Sequence, residues 1–451
     1  MDIMKKLYNI CDPLKRPPEG TYVDLCSARG GTSVVSLLER RIRKSDLDSK
    51  TYTRLLFSGH LGSGKSTELL RLCEQIKNSQ TDRLFPIYMD ASKYINYQDV
   101  EITEILLALV SSVAETLKQE ENIDLEPPYL KKLFGDLKDI ALSVVELDKV
   151  EFSIDNFAKF IFKLKQADNS TRKEVRSRLK PKLSTFLDEI NLILSQVRVK
   201  LMKLGYRDLV LIIDNLEKIP DDIDPETGHG AYYRIFNVGG QQLCSIEANA
   251  VFTVPLPLIY SSERSPIVQK FGEEPIVLPM VKVEDKKGDP CEDGLELMRE
   301  VLRKRFEVSE ISESEVFDSQ DTFANLCHKS GGHVRNLLIY FRSASDYIDK
   351  LPFTKEAVQK GIQQHINAYS RSIQENNWEL LAKLQLNQDK DIPNDDDHKD
   401  MLGDLSILQY MNGGEPWYSV NPVVRELEKF KRAVEKLKNN QESQTDGTDT
   451  N

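Results

Sequence analysis

A chain of 451 residues is long enough for two or three domains. Its 61 Lys and Arg against 72 Asp and Glu leave a formal charge of -11, which excludes a broad basic coat for nucleic acid and leaves room for a small basic patch. No apolar run approaches the roughly 20 residues of a membrane span, the N-terminus Met1-Asp2-Ile3-Met4-Lys5-Lys6 lacks the order of a signal peptide, and six scattered cysteines without C-x-x-C point to reduced thiols in a cytoplasmic protein rather than a disulfide framework or a zinc site.

Residues 1–50 form a lead-in punctuated by Pro13, Pro17 and Pro18. Arg29-Gly30-Gly31-Thr32 then opens an amphipathic helix over 33–43, with Val34, Val35, Leu37 and Leu38 on its apolar face. A short apolar strand, 54–58, runs into a glycine-rich loop, and a helix follows from Glu68. The second strand, 84–90, carries Pro86 and is therefore expected at a sheet edge. Helical patterns over 97–118, 129–145, 156–165 and 171–203 separate it from the third strand, far more chain than a crossover needs, so this stretch reads as a helical insertion or lid.

The third strand, 209–213, is a continuous apolar run ending at Asp214, suited to a central parallel strand covered on both faces. A fourth run, 251–260, is interrupted by Pro255 and Pro257 and leads into Ser261-Ser262-Glu263-Arg264. Residues 275–279 make a fifth strand. Strands alternating with helices give an α/β fold with a mainly parallel sheet. A helical region from 289 to about 350 contains Gly331-Gly332-His333-Val334-Arg335. Helical patterns over 354–376 and 378–386 follow, then an acidic loop, 387–400. Two short β patterns meet at Asn412-Gly413-Gly414, a hairpin turn. With a closing helix over 423–437, this end reads as a winged-helix-like domain. The expected domains are a lead-in, 1–50; a core, 51–285, with the insertion at about 97–205; a helical lid, 286–350; the winged-helix-like domain, 351–438; and a polar, disordered tail, 439–451.

The sharpest chemical signal is Gly59-His60-Leu61-Gly62-Ser63-Gly64-Lys65-Ser66-Thr67, which fits G-x-x-x-x-G-K-[ST] between a strand and a helix. Gly59, Gly62 and Gly64 let the backbone wrap round phosphates with its N–H groups inward. Ser63 lies within the wrap. Lys65 is expected on the β- and γ-phosphates, Ser66 on Mg²⁺, and Thr67 near the α-phosphate. The chain is therefore read as a P-loop NTPase binding ATP or GTP, ATP being the preferred reading, with Mg²⁺. Asp214 is the expected second metal-side acid. Glu217 is either the base that polarises water or a solvated residue beside Lys218. Ser262 and Arg264 follow the fourth strand, where ligands of open sheets gather, and Arg264 either reaches the γ-phosphate or lies at the surface. Arg335 either stabilises the triphosphate from the lid or makes a surface salt bridge.

In this order of parts the chain resembles the AAA+ superfamily, most of all the clade joining origin-recognition ATPases with STAND and NACHT switch ATPases. The resemblance implies that Ser262 and Arg264 occupy the sensor-1 region and Arg335 the sensor-2 position. Asp214-Asn215-Leu216-Glu217 departs from the usual Asp-Glu pair and is nearer the STAND form, which implies slow hydrolysis and a switch. The ensemble also resembles uncharacterised bacterial ATP-binding proteins, some accompanying defence nucleases.

The first functional expectation is thus an ATP-dependent switch or assembly ATPase that forms a homo-oligomer or regulates a separate effector, plausibly in antiviral defence, with no membrane role. The second is a DNA-binding initiator or loader, carried by the winged-helix-like end and by Arg172-Lys173-Glu174-Val175-Arg176-Ser177-Arg178-Leu179-Lys180-Pro181-Lys182, with Lys429, Lys431, Arg432, Lys436 and Lys438 as a second patch. A small-molecule kinase ranks third, because a lid arginine and a winged helix are extraneous to it.

Overall fold

A computed structural model of the chain describes residues 3–46, 49–123, 154–225 and 228–446. The chain divides into two compact units: residues 35–58 with 68–276, and residues 1–34 with 59–67 and 277–451. This division groups residues 59–67 with 277–451 and so draws no boundary at 285 or 350.

The first of these, the sheet unit, is built on β1 (Arg54–Gly59), β2 (Leu84–Asp90), β3 (Asp208–Asp214), β4 (Asn249–Thr253) and β5 (Ile276–Leu278), in the order β2-β3-β4-β1-β5. The pairs β2–β3, β3–β4 and β1–β4 are parallel. Pro86 lies on the edge strand β2, where its missing N–H costs no ladder bond. All seven residues of β3 are buried, as a central strand requires. The β2–β3 register pairs Asp90 with Asp214, bringing two carboxylates to the same end of the sheet.

The insertion belongs to this unit's core. Helix Ile102–Glu121 has buried residues on every side, and the apolar faces of Ile154–Gln166, Asn169–Leu179 and Leu183–Lys203 join the same cluster. The single run expected over 171–203 is two helices, broken at the turn Lys180–Lys182, because Pro181 has no N–H to continue an α-helix. The helix expected over 129–145 lies outside the described residues. The fourth strand is shorter than expected. It stops at Thr253, and Pro255 caps the helical turn Leu256–Ile259.

The second unit, the loop unit, holds helices Ile3–Ile10, Glu292–Val308, Gln320–Lys329, Val334–Ala344, Lys355–Ser372, Asn377–Leu386 and Asp396–Gly403, then a hairpin of β6 (Ile407–Asn412) and β7 (Glu415–Val420). The hairpin closes through Gly413 (φ 56°) and Gly414 (φ 101°), the two positive angles that a twisted two-residue turn demands. Tyr410 and Trp417 face each other across the strands with rings stacked 4.5 Å apart, and with Met280 and Leu408 they make the hairpin's own core. Five phenylalanines, Phe306, Phe317, Phe323, Phe341 and Phe353, pack the helical part. The closing helix spans Glu428–Asp446, so it reaches into the segment read as a tail, whose last residues lie outside the described ones. Among the described residues no helix is long and apolar enough to cross a membrane.

Candidate functional site

The loop after β1 folds as its sequence demands. Gly59, Gly62 and Gly64 have φ of 148°, 89° and 106°. At Gly62 a Cβ would lie 2.8 Å from Arg335, so the residue is fixed by close approach as well as by backbone angle. The helix Lys65–Lys77 begins directly at the loop and directs its positive N-terminal end toward it. Lys65 is buried and donates to the carbonyls of Gly59 (2.9 Å) and His60 (3.0 Å). Ser66 and Thr67 are half-buried in the first turn of that helix.

Partners from three other segments of the loop unit converge on this loop. Arg29, buried in the turn before helix Val34–Ile42, donates from Nη2 to the Ser63 carbonyl at 2.6 Å. His333 donates from Nε2 to the Leu61 carbonyl at 2.7 Å, while its Nδ1 accepts the Asn336 N–H at 3.1 Å and caps helix Val334–Ala344. The N–H of Arg335 reaches the Gly62 carbonyl at 3.4 Å, and its side chain lies on Gly62. Of the residues singled out from sequence, Arg335 and the loop are thus brought together. Gly332 admits no side chain, since a Cβ there would fall 1.7 Å from the Val281 carbonyl.

His60 was missed by the sequence reading. Its imidazole is buried between two parts of the C-terminal region: Nδ1 donates to the Leu402 carbonyl at 3.1 Å, and Nε2 accepts the Gln409 N–H of β6 at 3.0 Å. Burial, with lesser contributions from His333 and Lys65, pushes His60 down to about 3. Burial is also the main cause that pushes His333 down to about 4. Both imidazoles are therefore neutral near pH 7, and their partners set the tautomers.

In the sheet unit Asp214 is fully buried at the end of β3. It accepts from the Tyr88 hydroxyl and from the Asn215 N–H. Asn215 has φ 68°, a left-handed angle that Asn tolerates better than Glu does, which accounts for the residue type after Asp214. Its side chain donates to Asp90 at 2.7 Å and its carbonyl accepts from Tyr97. Burial raises the Asp90 carboxyl, but hydrogen bonds from Ser92 and Asn215 and the charge of Lys218 outweigh it and hold the group below the usual carboxylate range. Glu217, in the turn Leu216–Lys218, is only 5 % exposed, so the solvated position beside Lys218 is not the one it takes.

Of the two alternatives for Arg264, the structure shows the surface one. Ser262 is exposed in a turn, and Arg264 opens helix Arg264–Phe271 and pairs with Glu274 at 2.5 Å on a surface where both are about half exposed. The reason is the early end of β4: the polar residue at that strand end is Thr253, whose buried hydroxyl accepts the Leu216 N–H at 3.1 Å. The basic stretch also changes meaning. Arg172 and Arg176 are buried; Arg176 bonds Glu104 and Asp99, and Arg172 bonds Asp99, so two of its cations hold the insertion together.

No family model matches the chain, and no curated protein matches it in sequence. Among solved structures it is similar to Cdc6p from Pyrobaculum aerophilum, with 12% identity and a TM-score of 0.40 over 95% of this chain and 98% of that one. It is similar to the Aeropyrum pernix ORC2 protein in its ADP form, with 10% identity and a TM-score of 0.46 over 96% and 97%. It is also similar to the Aeropyrum pernix ORC1 protein in complex with DNA, with 13% identity and a TM-score of 0.37 over 94% and 95%. At such identities and scores the likeness assigns no residue and no activity.

Proposed function

We propose that the protein is an ATP-binding switch with slow hydrolysis, in which occupancy of the phosphate loop is read by the lid and by the C-terminal hairpin. The observation that carries this is the loop's own bonding: within nine residues it is joined to the lid through Leu61 and Gly62 and to β6 and helix Asp396–Gly403 through His60. Lys65 supplies the input. It donates to two neutral carbonyls, and a phosphate oxygen is a stronger acceptor, so binding draws Nζ away from Gly59 and His60. His60 then communicates the change to the hairpin, and Arg335 communicates it to the lid.

Mg²⁺ is a hard cation that takes oxygen ligands and keeps most of its water. The Ser66 hydroxyl and the Asp214 carboxylate are donors of the right kind for it, and the ion would neutralise charge on the phosphates. Glu217 is proposed as the base. Its burial and its place three residues past Asp214 support a role that a surface glutamate could not fill. Gly59, Gly62, Ser63, Gly64, Lys65, Ser66, Thr67 and Arg335 form the proposed nucleotide contacts. Ser262, exposed in a turn, and Arg264, paired with Glu274, are not among them. The antiviral setting and a separate effector rest on the resemblance.

Light scattering with ATP, with ADP and without nucleotide tests the reading. ATP is expected to raise the mass, and Lys65→Ala to abolish the change. An unchanged mass together with an unchanged conformation when ATP is bound overturns the switch. A duplex-DNA arm tests the initiator reading, which has lost Arg172 and Arg176 as free cations.

A further inference from the structure

Five successive carbonyls of the phosphate loop accept a hydrogen bond. Gly59 and His60 accept from Lys65, Leu61 from His333, Gly62 from the Arg335 N–H, and Ser63 from Arg29. The bonds to Leu61 and Ser63 are the two shortest, at 2.7 and 2.6 Å, and both come from buried side chains outside the loop. In a trans peptide the carbonyl and the following N–H point in opposite directions. A donor that holds the Leu61 carbonyl therefore fixes the Gly62 N–H on the other side of the chain. A donor that holds the Ser63 carbonyl does the same for Gly64. Glycine at 62 and 64 makes this control necessary, because without a Cβ those peptides can rotate freely.

We propose that His333 and Arg29 are positioning residues of the phosphate loop: by holding the carbonyls of Leu61 and Ser63 they keep the Gly62 and Gly64 N–H groups turned toward a bound polyphosphate. The proposal rests on the ATP-binding reading and deepens it. His333 is suited to the task because it performs two jobs with two nitrogens. Nδ1 accepts the Asn336 N–H, which leaves the proton on Nε2, the atom that reaches Leu61. Its burial keeps the ring neutral, so the arrangement survives over the physiological range. Arg29 holds the Ser63 carbonyl, two residues further on, with a group that never loses its proton.

The two functions of His333 can be separated. His333→Asn keeps an oxygen to cap Asn336 but is too short to reach Leu61. His333→Gln places an N–H near the Nε2 position but caps poorly. The affinities of wild type, both variants, Arg29→Met and Lys65→Ala are measured by calorimetry for MgATP and for inorganic tripolyphosphate, with thermal melts of each protein without ligand.

We expect His333→Asn and Arg29→Met to bind both ligands about tenfold or more weakly, the loss of one hydrogen bond to a charged group. His333→Gln is expected to recover most of the affinity, and the melt of His333→Asn to stay within a few degrees of wild type. Tripolyphosphate has no base, so an equal loss on it locates the effect at the phosphates. Wild-type affinity in His333→Asn and Arg29→Met overturns the proposal, as does a loss on ATP that is absent on tripolyphosphate. If wild type binds ATP and Lys65→Ala does not, that outcome leaves the ATP reading standing. If wild type binds neither ligand, both fail.

Discussion

The phosphate loop and the carboxylate end of the sheet are both polar, both glycine- or asparagine-shaped, and both built on strand ends, yet they are wired differently. The loop's partners come from far along the chain: His60 to Leu402 and Gln409, Leu61 to His333, Ser63 to Arg29. The carboxylates of Asp90 and Asp214 are held within their own unit by Tyr88, Ser92 and the adjacent Asn215. On the proposed reading, one region passes on a change and the other holds a charge in place. A switch needs both, and the contrast says which substitutions should affect chemistry and which should affect communication.

The largest effect is expected at the charge-holding end. Asp214→Asn keeps the shape of the residue but removes the charge, and should lower ATP turnover about a hundredfold while leaving ATP binding nearly intact. Phosphate release and calorimetry on the same sample check this. Equal losses in turnover and binding would place Asp214 outside the metal-side role.

At the communicating end, His60→Leu should leave the buried Leu402 carbonyl and Gln409 N–H without their partner. The expected cost is about 2 kcal/mol or more of stability, read by urea unfolding. ATP should still bind, but the hairpin should no longer respond to it in limited proteolysis. A hairpin that still responds would break the comparison.

Much of this was legible in the sequence, and what was not has a common physical cause. Pro86 announced an edge strand, the apolar run ending at Asp214 announced a central one, and Asn412-Gly413-Gly414 announced the hairpin, because each is a local rule of backbone geometry. The glycine spacing announced the loop for the same reason. His60, His333, Arg29 and Thr253 were not singled out, since their meaning lies in partners remote in sequence, His60 and Gln409 being 349 residues apart. Two faint signals existed. A histidine directly before Val334 stands at an N-cap position, and Thr253 is the one polar residue in an otherwise apolar strand end. Arg264 stayed open between phosphate and surface because its partner, Glu274, is set by the fold and not by a local rule.

Acid should separate the two regions next. Burial lowers His60 from 6.5 to about 3 and His333 from 6.5 to about 4. Below pH 6.5 the unfolded chain takes up protons at these positions and the folded chain does not. Stability is therefore full above about 6.5 and is lost as pH falls toward 4, by up to about 1.4 kcal/mol per pH unit for each histidine. Urea midpoints from pH 7.5 to 4.5 should show this slope, and His60→Leu should flatten it. A slope unchanged in that variant would mean that other groups set the acid response.

The smallest effect belongs to Arg264. Its pair with Glu274 is exposed, so Arg264→Ala should cost less than about 1 kcal/mol and leave ATP turnover unchanged. A tenfold fall in turnover would return Arg264 to the nucleotide site.

The central claim is that the loop's occupancy is felt at the hairpin. Hydrogen exchange of the full chain with and without MgATP measures this directly. Slower exchange is expected at residues 59–67, at 331–338 and across the hairpin, 405–421, with the last of these lost in His60→Leu. Protection confined to the loop, with ATP demonstrably bound, would contradict the account.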